Sequence, residues 1–376
     1  MTKSAKSLSK ASKNRMSAGQ VLFCLMSAVA MMLTFRYSEE VVSAMSSGMS
    51  LCVTTVIPSL FPFMVLSELF ISSGAGELMG RYIGRPLSAL FGISHAGAAA
   101  LLIGFICGFP IGTRSAVSLY ERGRISRAEF EHLCTFCNNP SSAFLISAVG
   151  GALFGSRLFG VLLYASHILS SCIVGFIGRF LFVRGKDSFC EESCSQKKRE
   201  GIIASFIRAV TDSASSMLFI CAFVVFFSAV VGVIRSFARG AGLPNGAMAL
   251  MFGFFEMTGG VAEASALPLG LAIPISAAIT GWSGLSVHFQ FVSICKEHRF
   301  ALRPYFLSKA LCALLNMVII SILVRVAGDR IIFSGGSISS FLMMSGGIAV
   351  PLSLAAFLAG CAVLRLQGIR GQKNNF

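Results

Sequence analysis

The sequence predicts an all-α polytopic membrane protein with about eight spanning helices and two re-entrant helical hairpins, arranged as an inverted-topology repeat. Three observations carry that prediction. Apolar residues make up 55% of the 376-residue chain and charged residues 12%, with a mean hydropathy of +0.78, which leaves too few charges to clothe a soluble globule. The apolar residues come in long stretches, such as 20–35, 158–183, 202–234 and 306–324, and about 20 helical residues cross roughly 30 Å of hydrocarbon. The Lys and Arg behind the net charge of +15 lie in short clusters between those stretches. They read as membrane topology, and no contiguous basic face calls for nucleic acid.

Residues 1–17 form a cytoplasmic basic tail carrying Lys3, Lys6, Lys10, Lys13 and Arg15. Residues 18–40 supply the first spanning helix and an outer turn; no small-residue cleavage site follows the apolar run, so it reads as an uncleaved helix. The first repeat, 41–184, returns through 41–73 to a cytoplasmic turn with Arg81 and Arg85. Its stretch 86–120 is broken by Gly108, Pro110 and Gly112. A re-entrant hairpin there returns Arg122, Arg124 and Arg127 to the cytoplasm, where a single span would strand them outside. A polar-centred helix, 132–152, then goes out and 158–183 come back to the charged cytoplasmic loop 185–200.

The second repeat, 201–327, exits through 202–234 to Arg235 and Arg239. Its broken stretch, 246–268, enters from the outside, and a second polar-centred helix, 271–294, reaches a cytoplasmic turn with Lys296, Arg299 and Arg303. Residues 305–327 go out, and 328–376 supply the last spanning helix and a basic tail. Both termini are cytoplasmic in this trace, and the chain reads as multi-pass. Of the 31 Lys and Arg, six fall outside: Arg36, Arg157, Arg235, Arg239, Arg325 and Arg330.

The two repeats carry the same order of features. Gly104-Phe105 opens one broken stretch and Gly253-Phe254 the other; a polar-centred helix follows each, containing FCNNPSSAF in the first and TGWSGLSVHFQ in the second, and then a long apolar span. Inverted repeats of this kind frame a substrate site near the bilayer midplane. A broken helix leaves N–H and C=O groups unpaired at membrane depth, where lipid cannot satisfy them, so they face protein, a polar cavity, a ligand or an ion.

Polar residues gather at these breaks. The candidate substrate-binding set is Thr113, Asn138, Asn139, Ser141, Glu256, Thr258, Ser283, Ser286, His288 and Gln290. Amides and hydroxyls both donate and accept, so the set suits a small polar, multiply hydrogen-bonding solute. Ser141, Ser142, Ser283 and Ser286 equally fit close helix packing, and Asn138 and Asn139 equally fit bonds to neighbouring backbone. Trp282 suits packing, an interface anchor or a substrate stack. Glu256, an acid beside a Thr-Gly-Gly break, is the candidate ion-coupling residue for a proton, Na⁺ or a substrate hydroxyl; an ion pair with Arg114 is its structural alternative.

Four segments resemble the sporulation integral membrane protein family of the YlbJ type: PSLFPFMVLSELF (58–70), GFPIGTRSAVSLYERGRIS (108–126), FCNNPSSAFLISAVG (136–150) and GFFEMTGGV (253–261). That family carries the nucleoside-recognition "Gate" domain, so the resemblance implies a bacterial, spore-forming owner and a role in making the spore or its cortex. More distantly, the hairpin-then-helix repeat is similar to concentrative nucleoside transporters. Residues 253–258 and 281–286 are the nearest matches to their motifs; Glu256 precedes Thr258 instead of following a Thr, and a Ser or Gly near 283–284 replaces the nucleoside-binding Asn.

The leading functional reading is a transporter or permease with its site between the repeats. The alternative is a non-transporting structural or assembly factor of the sporulation membrane, and the partners compatible with either are the bilayer, a coupling ion, a second copy of the chain or other sporulation membrane proteins. An enzyme is not expected: in G-W-S-G, Ser283 and His288 are five residues apart on one predicted helix and so face different ways. No cofactor or metal site is expected. Most of the 12 cysteines sit inside apolar stretches as small hydrophobes.

Overall fold

The computed structural model describes residues 17–73, 84–182 and 201–327, apart from Glu297 and Arg299. The basic tail, the loop 185–200 and the expected last span lie outside the described residues. Every regular element among the described residues is helical, and the chain is an all-α polytopic membrane protein.

Helix α1, Ala18–Arg36, starts at a capping box: the Ser17 hydroxyl accepts from the Gln20 amide while the Gln20 side chain accepts from the Ser17 amide. Its large apolar side chains are exposed, Phe23 at 71% and Phe35 at 78%, a surface suited to lipid and not to water. Helix α2 (Ser38–Leu51) runs through a π-helical turn (Cys52–Val56) into α3 (Ile57–Ser72). Helix α4 (Gly84–Phe91) meets α5 (His95–Cys107) at a 99° bend, and α6 (Ile111–Glu121) and α7 (Arg127–Phe136) follow. A π-helix (Phe144–Leu153) then leads to α8 (Arg157–Phe182).

The second half begins with the 39-residue α9 (Ile202–Gly240), packed along α2 and α3. After it come α10 (Asn245–Phe255), α11 (Met257–Ser265), α12 (Leu269–Trp282), α13 (Gly284–Cys295) and α14 (Leu302–Ala327).

The same succession thus occurs twice. Helices α8 and α14 each run 26 residues, start 145 residues apart and pack against each other. Before each lies a helical hairpin, α5–α6 or α10–α11, whose arms cross where glycine faces glycine. A side chain on Gly112 would overlap the Gly104 backbone, and one on Gly260 would overlap the Gly253 backbone, so only hydrogen lets the arms approach this closely.

Two expected helices are broken. The chain expected to run as one helix over 132–152 leaves helical form at 137–141, because Pro140 has no amide to donate and disfavours helical geometry in the residue before it. The helix expected over 271–294 breaks at Ser283, which sits in the left-handed region at φ 76° and is followed by Gly284 at φ 79°. The stretch 86–120 is three helices, with α4 bent away from the α5–α6 hairpin. Among the described residues, five segments are long and apolar enough to cross a membrane, or six with the bent pair counted as one. Eight were expected; the π turn divides 41–73, Pro140 divides 132–152, and the last span lies outside the described residues.

Candidate functional site

The breaks of both hairpins meet at one small cavity. Its wall takes Phe109 from the α5–α6 break, Ser141 from the break after α7, Glu256 and Thr258 from the α10–α11 break, and Ser286 and Gln290 from α13. Apolar side chains of α3, α9 and the π-helix Phe144–Leu153 complete it, among them Leu60, Phe144 and Val224. The space open to the centre of a water-sized sphere is about 20 Å³, room for one water and not for an organic solute.

Glu256 is held by the backbone it interrupts. It ends α10 in extended geometry, φ −138° and ψ 119°, and caps α11, with one carboxylate oxygen accepting from the Thr258 amide at 2.9 Å and the other from the Gly259 amide at 2.5 Å. Two of the four orphan amides of α11 are thereby satisfied, and the acid lies at the positive end of that helix. Its side chain is buried at 4% exposure. Arg114 is exposed, and Glu256 forms no ion pair among the described residues; the pairs Arg127–Glu131, Arg235–Glu263 and His298–Glu121 lie elsewhere.

Two further polar atoms at this cavity are unsatisfied. Ser286 Oγ and Gln290 Oε1 are buried without a hydrogen-bond partner. They are four residues apart and therefore on one face of α13. His288 lies about 200° round from Ser286 and points to the opposite side.

That opposite side belongs to a second polar cluster, away from the cavity, in which only His288 Nε2 and His167 Nδ1 lack a partner. Asn138 accepts from Thr113 Oγ1 at 3.1 Å and donates to the Tyr305 hydroxyl at 3.1 Å, and the same hydroxyl lies 2.9 Å from His288 Nδ1. Lys309 Nζ donates to the Asn138 carbonyl; it is 1% exposed and sits just past the carbonyl end of α7. Asn139 donates to the Phe136 carbonyl at 2.7 Å and accepts from Ser171 and His167, each at 3.1 Å. The Asn139 carbonyl in turn accepts from the Phe109 amide at 2.7 Å, which ties the break after α7 to the break in the first hairpin.

Gly108, between those breaks, has φ 72°, and a Cβ there would lie 2.6 Å from the Ser141 Cα. Only glycine meets both the angle and the close approach. In the second half, Asn316 on α14 donates to the Ala277 carbonyl at 2.8 Å. It stands 145 residues after Ser171, which reaches the Phe136 carbonyl from α8 at 2.7 Å. Corresponding positions on the two long helices thus each donate to a backbone carbonyl of a broken polar-centred helix.

The candidate residues therefore divide. Ser141, Glu256, Thr258, Ser286 and Gln290 share the cavity, whereas Thr113, Asn138, Asn139 and His288 belong to the bonded cluster. Ser283 donates to the Thr280 carbonyl at 3.3 Å and forms the α12–α13 corner. Trp282 stacks on Phe254 with ring centroids 5.4 Å apart and donates to the Phe254 carbonyl, so it packs the second hairpin against α12. Reasoning from sequence omitted Tyr305, Lys309, His167 and Asn316. The signal for Lys309 was present, because an ionisable residue inside an apolar span marks a polar interior.

No family model matches the chain, and no solved structure matches it. The sporulation integral membrane protein YlbJ of Bacillus subtilis (strain 168) is 28% identical over 313 residues, covering 74% of this chain and 76% of that protein. The resemblance to the YlbJ type is thus borne out over most of the chain, and it agrees with the several apolar helices in making this an integral membrane protein.

Proposed function

We propose that this protein is a permease acting in bacterial spore formation, moving a small polar solute across the cytoplasmic membrane through a site between its two repeats. The observation that carries the reading is the meeting of both hairpin breaks at one cavity that holds a buried acid and two unpaired oxygens. Discontinuous helices converging at the interface of two repeats are how secondary transporters build a midplane site. The relative's description as a sporulation protein supports the physiological setting. A cavity with room for one water corresponds, in this reading, to an occluded form from which rocking of one repeat would open a path.

The reading places both termini in the cytoplasm and takes the protein for a carrier without a chemical step. Ser283 and His288 bond to different groups, the Thr280 carbonyl and the Tyr305 hydroxyl, which supports the absence of a nucleophile–base pair. The small cavity equally suits a non-transporting assembly factor of the sporulation membrane, so ligand binding separates the two. The test is a thermal-shift screen of detergent-purified protein against nucleosides, nucleobases, amino acids and organic acids, followed by uptake of each hit into proteoliposomes. A ligand that binds the folded state alone raises the midpoint, and uptake of that ligand supports the permease. Hits that never enter the vesicles, or no hits, favour the assembly factor.

A further inference from the structure

The cavity at the hairpin breaks has a chemistry narrower than its position implies. Its polar lining comes from Glu256, Thr258, Ser286, Gln290 and, from the first repeat, Ser141, and among these Ser286 Oγ and Gln290 Oε1 are buried without a partner. Ser286 and Gln290 are 1% and 3% exposed, so neither unpaired oxygen reaches bulk solvent. A buried acceptor left without a partner costs roughly 1–3 kcal/mol, and two of them on one helix face beside a carboxylate mark a place where something else completes the bonds. Glu256 is fixed in orientation by the Thr258 and Gly259 amides, and no basic side chain pairs with it among the described residues. An ionised carboxylate this deeply buried needs a counter-charge.

We infer that this cavity binds one dehydrated monovalent cation, liganded by Glu256, Ser286 and Gln290, and that the cation holds the two repeats in the occluded form. The inference rests on the permease reading and names the ion that the same site takes. Hard oxygen donors suit an alkali cation. A single carboxylate balances a single positive charge, and a space of about 20 Å³ excludes an ion that keeps its hydration shell. Divalent ions are poorly served, because calcium takes 6–8 oxygens and magnesium retains several waters. The cluster around Lys309 supplies the contrast: there a tethered amine already donates to the carbonyl end of a half-helix.

The test is thermal unfolding of detergent-purified protein, without added solute, in choline chloride exchanged stepwise for NaCl, LiCl or KCl at constant ionic strength. One alkali ion is expected to raise the midpoint saturably. In Ser286→Ala the apparent Kd for that ion is expected to weaken about tenfold, with the midpoint in choline at or above wild type because the unpaired hydroxyl is gone, and in Glu256→Gln the ion response is expected to vanish. A midpoint that is the same in all four salts overturns the site, and so does one that responds to pH alone, which would assign a proton to Glu256. Uptake of a solute that is indifferent to replacing alkali ions by choline also overturns it while leaving the permease standing. An ion-specific shift in a protein that moves no solute supports the cation site and removes the permease.

Discussion

Asn139 is where the bonded cluster is most open to quantitative test. Its side chain is fully buried and makes three hydrogen bonds: one given to the Phe136 carbonyl and two taken from Ser171 Oγ and His167 Nε2. Truncation to alanine leaves the Phe136 carbonyl and Ser171 satisfied, since they bond each other at 2.7 Å. It strips His167 of its bond, and the other ring nitrogen of His167 already lacks a partner. Three bonds at the membrane-protein average of about 0.6 kcal/mol each come to roughly 2 kcal/mol. The orphaned imidazole adds about 1–3 kcal/mol, so Asn139→Ala is expected to lose about 3–5 kcal/mol in all.

Equilibrium unfolding in mixed detergent micelles measures that difference. Adding His167→Phe to Asn139→Ala separates the two contributions, because replacing both partners by apolar groups removes the unsatisfied nitrogen. The double variant is expected to recover about 1–2 kcal/mol over Asn139→Ala. A loss below about 1 kcal/mol for Asn139→Ala, or a double variant less stable than the single, would refute the assignment of Asn139 as the keystone of this break.

The hairpin crossings predict that Gly260→Ala, whose methyl meets the Gly253 backbone, destabilises by about 1–3 kcal/mol, whereas Gly270→Ala, with nothing within 4 Å of the new carbon, stays within about 1 kcal/mol of wild type in the same unfolding measurement. Ser283, at φ 76°, should accept glycine with little change and lose about 1–2 kcal/mol as valine. Tyr305→Phe keeps the stack on Phe291, whose centroid is 4.0 Å away, but removes the hydroxyl between Asn138 and His288; a loss of about 1–2 kcal/mol is expected. The proposed orientation places exposed Arg122 in the cytoplasm. A single cysteine there, in a background without the native cysteines, should react with a membrane-impermeant maleimide only after the vesicles are opened, and labelling from outside would overturn the orientation.

Some of this protein was written locally and could be read from the sequence. Apolar stretches of spanning length dictate a membrane protein whatever their partners, because lipid demands it of each segment separately. The hairpin break at Gly108-Phe109-Pro110 was likewise legible, since glycine and proline disturb a helix where they stand; the second was expected at Thr258-Gly259-Gly260 but falls at Glu256, with those three residues inside α11. Pro140 and Gly284 gave the same kind of signal for the two broken polar-centred helices. The apolar residues around them kept the helical pattern unbroken, and the pattern concealed the corner.

The tertiary structure decided which face of each helix meets which neighbour. The 100° advance per residue separates His288 from Ser286 and Gln290, but nothing near them in sequence says that one side faces Tyr305 and the other Glu256. Asn138 finds Tyr305 and Lys309 across 167 and 171 residues, and Phe109 finds the Asn139 carbonyl across a helical hairpin. Periodicity carries no information about pairings at that separation. They exist because in hydrocarbon every carbonyl freed by a break must find a donor inside the bundle, and the packing of the two repeats determines which donor is in reach.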